Sequence, residues 1–284
     1  MDFFDLHCDT PYEIFKKNYN FDDKRLAVSA RYTPLFKKWI VCSAIWLKDD
    51  LEDPFSHYQN ILCSFQKKRR EYVGERYKTI LSVEGGSLIE NDLDRVNHIY
   101  QDGVRLMTLT WNGENTLAGG VYSDKRLTAL GKQVLLRMND LKMVCDLAHL
   151  NEKSFYDALN YARRPIVSHT CFYSVNPHPR NLNDQQLKLI AEKNGLVGLC
   201  FYPEFLGSNN VFEQLFLHID HCLKMGFESI LSIGSDFDGA KMSSQLKNAG
   251  QIRDLYPFLI KKGLSRQILE NIFFKNAYNF FTSL

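Results

Sequence analysis

Eight short runs rich in β-branched and aromatic residues recur along this chain, at 3–9, 39–46, 79–84, 104–110, 143–149, 165–169, 196–202 and 229–236. Amphipathic stretches alternate with them, at 54–73, 93–102, 127–140, 152–162, 184–193, 211–225, 249–262 and 265–281. Side chains alternate with period two in a strand and about 3.6 in a helix, so this rhythm dictates βαβ units and a parallel sheet. The strand runs are almost continuously apolar, as strands covered on both faces must be. Eight such units predict a (β/α)8 TIM barrel, one domain over residues 1–284, with an open doubly wound sheet as the alternative. No Gly-x-Gly-x-x-Gly follows the first run and no Gly-x-x-x-x-Gly-Lys-Ser/Thr occurs, which argues against a nucleotide cradled by a Gly-rich loop.

Composition narrows the partners. The 284 residues are 45% hydrophobic and 24% charged, enough apolar mass for a large core and incompatible with a disordered chain. A net charge of +2 gives no basic face to follow a phosphate backbone, so no nucleic-acid partner is expected. The run Lys67, Lys68, Arg69, Arg70 reads as the solvated face of a helix. No apolar run approaches the roughly 18 residues of a membrane span, so no membrane partner is expected. The start Met1-Asp2-Phe3-Phe4-Asp5 lacks the form of a secretory signal, and the expected location is cytoplasmic. Seven cysteines without a Cys-x-x-Cys pair fit reduced, mostly buried thiols.

In a barrel the chemistry sits where strands end, and here ionisable residues end the apolar runs repeatedly. The first ends Leu6-His7-Cys8-Asp9, which puts His7 and Asp9 on one face. The third ends Val83-Glu84-Gly85-Gly86, the fifth Asp146-Leu147-Ala148-His149, the sixth Ser168-His169, and the eighth Ser235-Asp236-Phe237-Asp238-Gly239. A lone histidine or carboxylate at a strand end can be ordinary hydrogen-bonded structure or a helix cap, and Asp236 and Asp238 can form a turn. Together, however, His7, Asp9, Glu84, His149 and His169 would converge on one rim, where burial without compensation is costly. Imidazole and carboxylate suit a pair of zinc-like ions, and such a pair hydrolyses amides or related bonds. The remaining His57, His98, His178, His218 and His221 fall in helices or loops and read as solvated or helix-packing.

The ordered motifs resemble the membrane dipeptidase family of zinc peptidases, almost end to end. They are Asp5-Leu6-His7-Cys8-Asp9-Thr10, Ser82-Val83-Glu84-Gly85-Gly86, Leu109-Thr110-Trp111-Asn112, Asp146-Leu147-Ala148-His149, Ser168-His169-Thr170-Cys171-Phe172-Tyr173-Ser174-Val175 with Pro179-Arg180-Asn181-Leu182, and Gly234-Ser235-Asp236-Phe237-Asp238-Gly239. The resemblance implies a barrel of the metallo-dependent hydrolase type that cleaves dipeptides, tolerates a D-residue on the C-terminal side and uses a metal-bridged hydroxide as nucleophile. It implies two Zn2+ ions, one on His7 and Asp9 and one on His149 and His169, bridged by Glu84. Arg180 would grip the substrate carboxylate and Asp236 would shuttle a proton. The family forms homodimers, although no residue here specifies one. Trp111 departs from the family pattern, which has a histidine there for the substrate and the oxyanion; as a substrate-contacting residue, tryptophan offers one donor and no charge, and it reads equally as plain packing at the barrel rim. The departure leaves open a slower dipeptidase, a shifted substrate such as another amide or a lactam, or a metal-binding protein without catalysis.

Overall fold

The computed structural model describes residues 1–72 and 76–283. Among them, eight strands form a closed parallel barrel in chain order, which excludes the open doubly wound sheet. The strands are β1 (Phe3–Cys8), β2 (Trp39–Trp46), β3 (Tyr77–Glu84), β4 (Val104–Thr108), β5 (Val144–Asp146), β6 (Ile166–Thr170), β7 (Leu196–Leu199) and β8 (Leu231–Ile233). Outside them run α1 (Thr10–Lys17), α2 (Pro54–Arg69), α3 (Arg95–Gln101), α4 (Ala129–Asp140), α5 (Glu152–Leu159), α6 (Asp184–Glu192), α7 (Pro203–Leu206), α8 (Val211–Lys224), α9 (Ile252–Lys261), α10 (Arg266–Glu270) and α11 (Asn276–Thr282).

Local chemistry starts these helices where the apolar rhythm resumes. Asp53 caps α2 by accepting from the Ser56 N–H, with Pro54 in the first turn, and Asn183 and Gln186 form a reciprocal capping box at α6. Helix α1 was not anticipated; Pro11 in its first turn and the Asp9 cap position turn the chain directly off β1. The expected helix 265–281 is interrupted by a π turn at Asn271–Lys275. The expected helix 54–73 ends at Arg69, and residue 73 lies outside the described residues, as does residue 284.

Strands β4, β5, β7 and β8 stop two to three residues before the sequence runs do, because the chain leaves the ladder as it climbs to the rim. The opposite end is apolar. Phe4, Leu6, Cys42, Leu106, Val144, Ile166 and Leu196 cluster with Phe274, Ala277 and Phe280 of the C-terminal segment, so the N-terminal mouth of the barrel is plugged. Besides one between Leu81 and Ser82 in β3, two register irregularities fall between Asp5 and Cys8 in β1 and between Val167 and Thr170 in β6. Such bulges re-aim side chains, and these two contain His7 and His169. No described helix is long and apolar enough to cross a membrane. All seven cysteines are free and only Cys63 is exposed.

Candidate metal centre

The polar ends of five strands meet at one rim. His7 lies in β1, Asp9 just after it, Glu84 at the end of β3 and His169 in β6. His149 lies three residues past β5 and Asp236 three past β8, with φ of 71° and 63°, so both hold left-handed conformations that a non-glycine residue adopts only when its surroundings enforce them. The two oxygens of Glu84 face different histidines. Oε2 lies 3.6 Å from His7 Nε2, while Oε1 lies 2.6 Å from His149 Nε2 and 3.4 Å from His169 Nε2. On the His7 side, Asp9 Oδ2 is 3.2 Å and Asp236 Oδ1 3.9 Å from Nε2. The structure thus brings together every residue expected at the metal site.

A second layer orients these groups. Asn112 Oδ1 can only accept, so at 2.8 Å it takes the Nδ1 proton of His149 and leaves Nε2 as a bare lone pair. Ser168 Oγ, 2.8 Å from His169 Nδ1, holds the second ring, and Arg180 donates to His169 Nε2 at 3.0 Å. The two Nε2 atoms therefore face each other as acceptors at 2.8 Å. Below them, Asp5 accepts from the Ser235 N–H, the Ser235 hydroxyl and the His7 N–H, and Asp146 accepts from the Ala148 and Ser168 N–H groups. Asn112, Ser168, Asp5 and Ser235 carry no sequence signal beyond their place in strand-end motifs, and reading the sequence gave them no role.

Electrostatics show what the donor set fits. Burial lifts the Glu84 carboxyl well above its usual range, and Asp9 and Asp236 push it further while His7 opposes them. Burial and Asp9 raise Asp236 to about 7. Burial alone would lower His7, but Glu84, Asp9 and Asp236 outweigh it and raise it to about 10. Burial, together with the charges of Arg180 and His7, keeps His149 and His169 well below the usual imidazole value. The site therefore gathers three acids around the single imidazole, His7, that favours its proton, and two further imidazoles, His149 and His169, that refuse theirs. Asp9 Oδ1 is buried without a partner. Divalent cations fit all three features, because they neutralise clustered carboxylates and take neutral imidazole lone pairs.

These groups open into a cavity of about 560 Å³ that also exposes Trp111, Arg180 and Asp236. Glu84 does not cap a helix; Gly85, at φ 95°, turns the backbone away and leaves the carboxylate in the site. Asp236 and Asp238 do form a turn, the Asp236 carbonyl accepting from the Gly239 and Ala240 N–H groups, while the Asp238 carboxylate ties it to distant segments by accepting from Thr10 Oγ1 and the Ala27 and Val28 N–H groups. Gly239 must be glycine, since a Cβ there would overlap Asp9 Oδ2. Trp111 makes an edge contact with Trp46, ring centroids 5.2 Å apart, and also lines the cavity. Among the other histidines, His178 departs from expectation: it lines the cavity and its Nδ1 accepts from the Arg180 N–H at 3.1 Å. His218 packs within the helical layer, its Nδ1 accepting from the Phe172 N–H, and His221 pairs with Asp184.

A family model described as membrane dipeptidase (peptidase family M19) matches residues 57–283. The uncharacterized protein in the pqqA 5′ region of Klebsiella pneumoniae is 30% identical over 212 residues, 69% of this chain and 78% of that protein. An uncharacterized dipeptidase of Schizosaccharomyces pombe is 32% identical over 198 residues, 66% of this chain; the match spans 47% of the yeast protein, so the chain covers about half of that relative. A metallopeptidase structure from Rhodobacter sphaeroides, liganded with a phosphinate mimic of the dipeptide L-Ala-D-Ala, superimposes with a TM-score of 0.89 at 21% identity over 98% of both chains, which shows the shared fold. With the barrel, the strand-end acids and histidines, and a family match over most of its length, this chain belongs to the membrane dipeptidase family of metal-dependent hydrolases, peptidase family M19.

Proposed function

We propose that this chain is a dipeptidase carrying two zinc ions, one on His7 and Asp9 and one on His149 and His169, with Glu84 bridging them. The observation that carries this reading is the division of one buried carboxylate between two histidine groups, Oε2 toward His7 and Oε1 toward His149 and His169. When bound, the two ions supply Lewis acidity, lowering the pKa of water and polarising the scissile carbonyl.

The chain's own residues do the rest. Arg180, buried at the cavity wall, presents a planar fork that pairs with the carboxylate of a dipeptide and sets its register. Asp236 faces the His7 side of the cavity, where its carboxylate takes a proton from the attacking water and passes it to the leaving amine. Asn112 and Ser168 hold His149 and His169 in one tautomer, so neither ring must reorganise during turnover. The ligand of the Rhodobacter relative supports acceptance of a D-residue at the C-terminal position here.

The test is to count bound zinc in the purified protein and assay L,L and L,D dipeptides beside N-blocked tripeptides and a β-lactam. Two ions and turnover confined to free dipeptides is the expected result. Fully loaded protein that cleaves no dipeptide overturns the reading.

A further inference from the structure

The cavity is chemically lopsided. Contacts across it run in a fixed order: Arg180 on His169 at 3.0 Å, His169 beside His149 at 4.9 Å between ring centroids, His149 beside Trp111 at 6.4 Å, Trp111 against Trp46 at 5.2 Å, and Trp46 against Tyr12 at 4.8 Å. The barrel order explains this. Arg180 follows β6 and Trp46 ends β2, and in a closed ring of eight strands β2 lies across from β6. Arg180, 5.3 Å from the Phe205 ring, stands at one end of the cavity, and Trp111 and Trp46 stand across from it, with Tyr12 and Lys16 beside them.

The Trp111–Trp46 side is built rather than incidental. Asp49, just past β2, accepts from the Gly113 N–H at 2.6 Å and ties the Trp111 segment to the end of β2 across 64 residues of sequence. A Cβ at Gly113 would press on that same carboxylate, so the tie depends on the absence of a side chain. The Tyr12–Trp46 and Trp46–Trp111 pairs meet at 81° and 77°, edge contacts between rings that all line the cavity, with Lys16 Nζ 5.4 Å from the Tyr12 ring. At the rim Tyr122 is 74% exposed although its N–H is anchored on the Asn112 carbonyl at 2.9 Å. Tyr122 also lines the cavity.

We propose that Tyr12, Trp46, Trp111 and Tyr122 form the side-chain subsite for the amino-terminal residue of the substrate and select dipeptides whose first residue is aromatic or large and apolar. The inference rests on the dipeptidase reading above. With the substrate carboxylate on Arg180 and the peptide bond over Glu84 and the histidines, a dipeptide, about 7 Å long when extended, points its first side chain away from Arg180, toward the side of the cavity that Trp111 lines. Trp46 and Trp111 are specificity-determining residues here and touch no reacting bond.

The experiment compares kcat/KM of the zinc-loaded protein for Ala-Ala, Leu-Ala, Phe-Ala and Trp-Ala, and for the reversed pair Ala-Phe. Phe-Ala and Trp-Ala are expected to exceed Ala-Ala by on the order of 10- to 100-fold, the range set by burying an aromatic ring in a matching pocket, while Ala-Phe gains far less. Trp46→Ala should collapse the Phe-Ala to Ala-Ala ratio toward one and Trp46→Phe should keep most of it, a contrast that mere loss of stability does not produce. Dipeptides cleaved with a flat or inverted first-residue profile overturn the subsite and leave the dipeptidase reading standing; absence of all dipeptide turnover overturns both. If Trp46→Ala fails to fold, the wild-type profile and Trp46→Phe still decide the matter.

Discussion

Replacing Glu84 with glutamine keeps the shape of the side chain and removes the charge whose two oxygens face the two histidine groups. Zinc at a thousandfold over its Kd stabilises a one-site protein by about 4.1 kcal/mol. If loss of the shared carboxylate weakens each site by about 100-fold, the same zinc contributes only about 1.4 kcal/mol per site. Over two sites the loaded variant should lose about 5 kcal/mol, or roughly 10–20 °C in Tm for a chain of this size. Without metal the sign reverses. Burial raises the Glu84 carboxyl above its unfolded value, so the native state keeps a proton that the unfolded chain has released, and stability falls as pH rises through that window. Glutamine has no such proton to lose, and near pH 8 in chelator the variant should be more stable than wild type. Thermal melts with and without chelator, zinc counts by mass spectrometry and dipeptide hydrolysis read all three effects. A variant that retains two ions with the full zinc-dependent shift in Tm would falsify the bridging role. A variant destabilised equally in chelator and in zinc would show Glu84 to be structural.

Three further outcomes are expected. Arg180→Lys removes a planar fork from a buried site and should lower kcat/KM for dipeptides by about 10²-fold, mostly through KM, with unchanged zinc content; equal losses for a dipeptide and its C-terminal amide would remove the carboxylate from the account. Trp111→His restores a donor beside His149 and should raise turnover of Ala-Ala by on the order of 10-fold or more, and an unchanged or lower rate counts against that reasoning. His218 is held neutral, its value lowered by burial to about 4, so the unfolded chain binds its proton first as pH falls from 6.5 and stability drops between pH 6.5 and 4, by up to about 3 kcal/mol. Denaturant titrations across that window should show His218→Gln with a flatter profile, and a slope identical to wild type would contradict the assignment.

Much of this architecture was legible in the amino-acid order. The eightfold alternation determined the parallel strands and their covering helices, because a buried parallel strand and an amphipathic helix impose different periods that cannot be exchanged, whereas the pairing of β1 with β8 decided that the sheet closes. Strand-end residues His7, Glu84 and His169 announced the site, since period two and the closed barrel leave their side chains one rim to share. Tertiary structure decided what depends on contacts distant in sequence or on loop backbone. His149 and Asp236 reach the rim from left-handed positions beyond their strands, which apolar periodicity does not encode. The Asn112–His149 pair spans 37 residues and the Thr10–Asp238 pair 228, and neither has a local signature. His178 reads as an ordinary loop histidine until the segment after β6 folds it against Arg180. In sequence Trp111 reads as a missing histidine or as plain rim packing; its contact with Trp46, set by β2 and by Asp49, together with its place in the cavity lining, combines packing with exposure to the site. Sequence alone determines which groups end the strands, through short-range periodicity, whereas the chemistry of the cavity is set by which loops the closed barrel brings face to face.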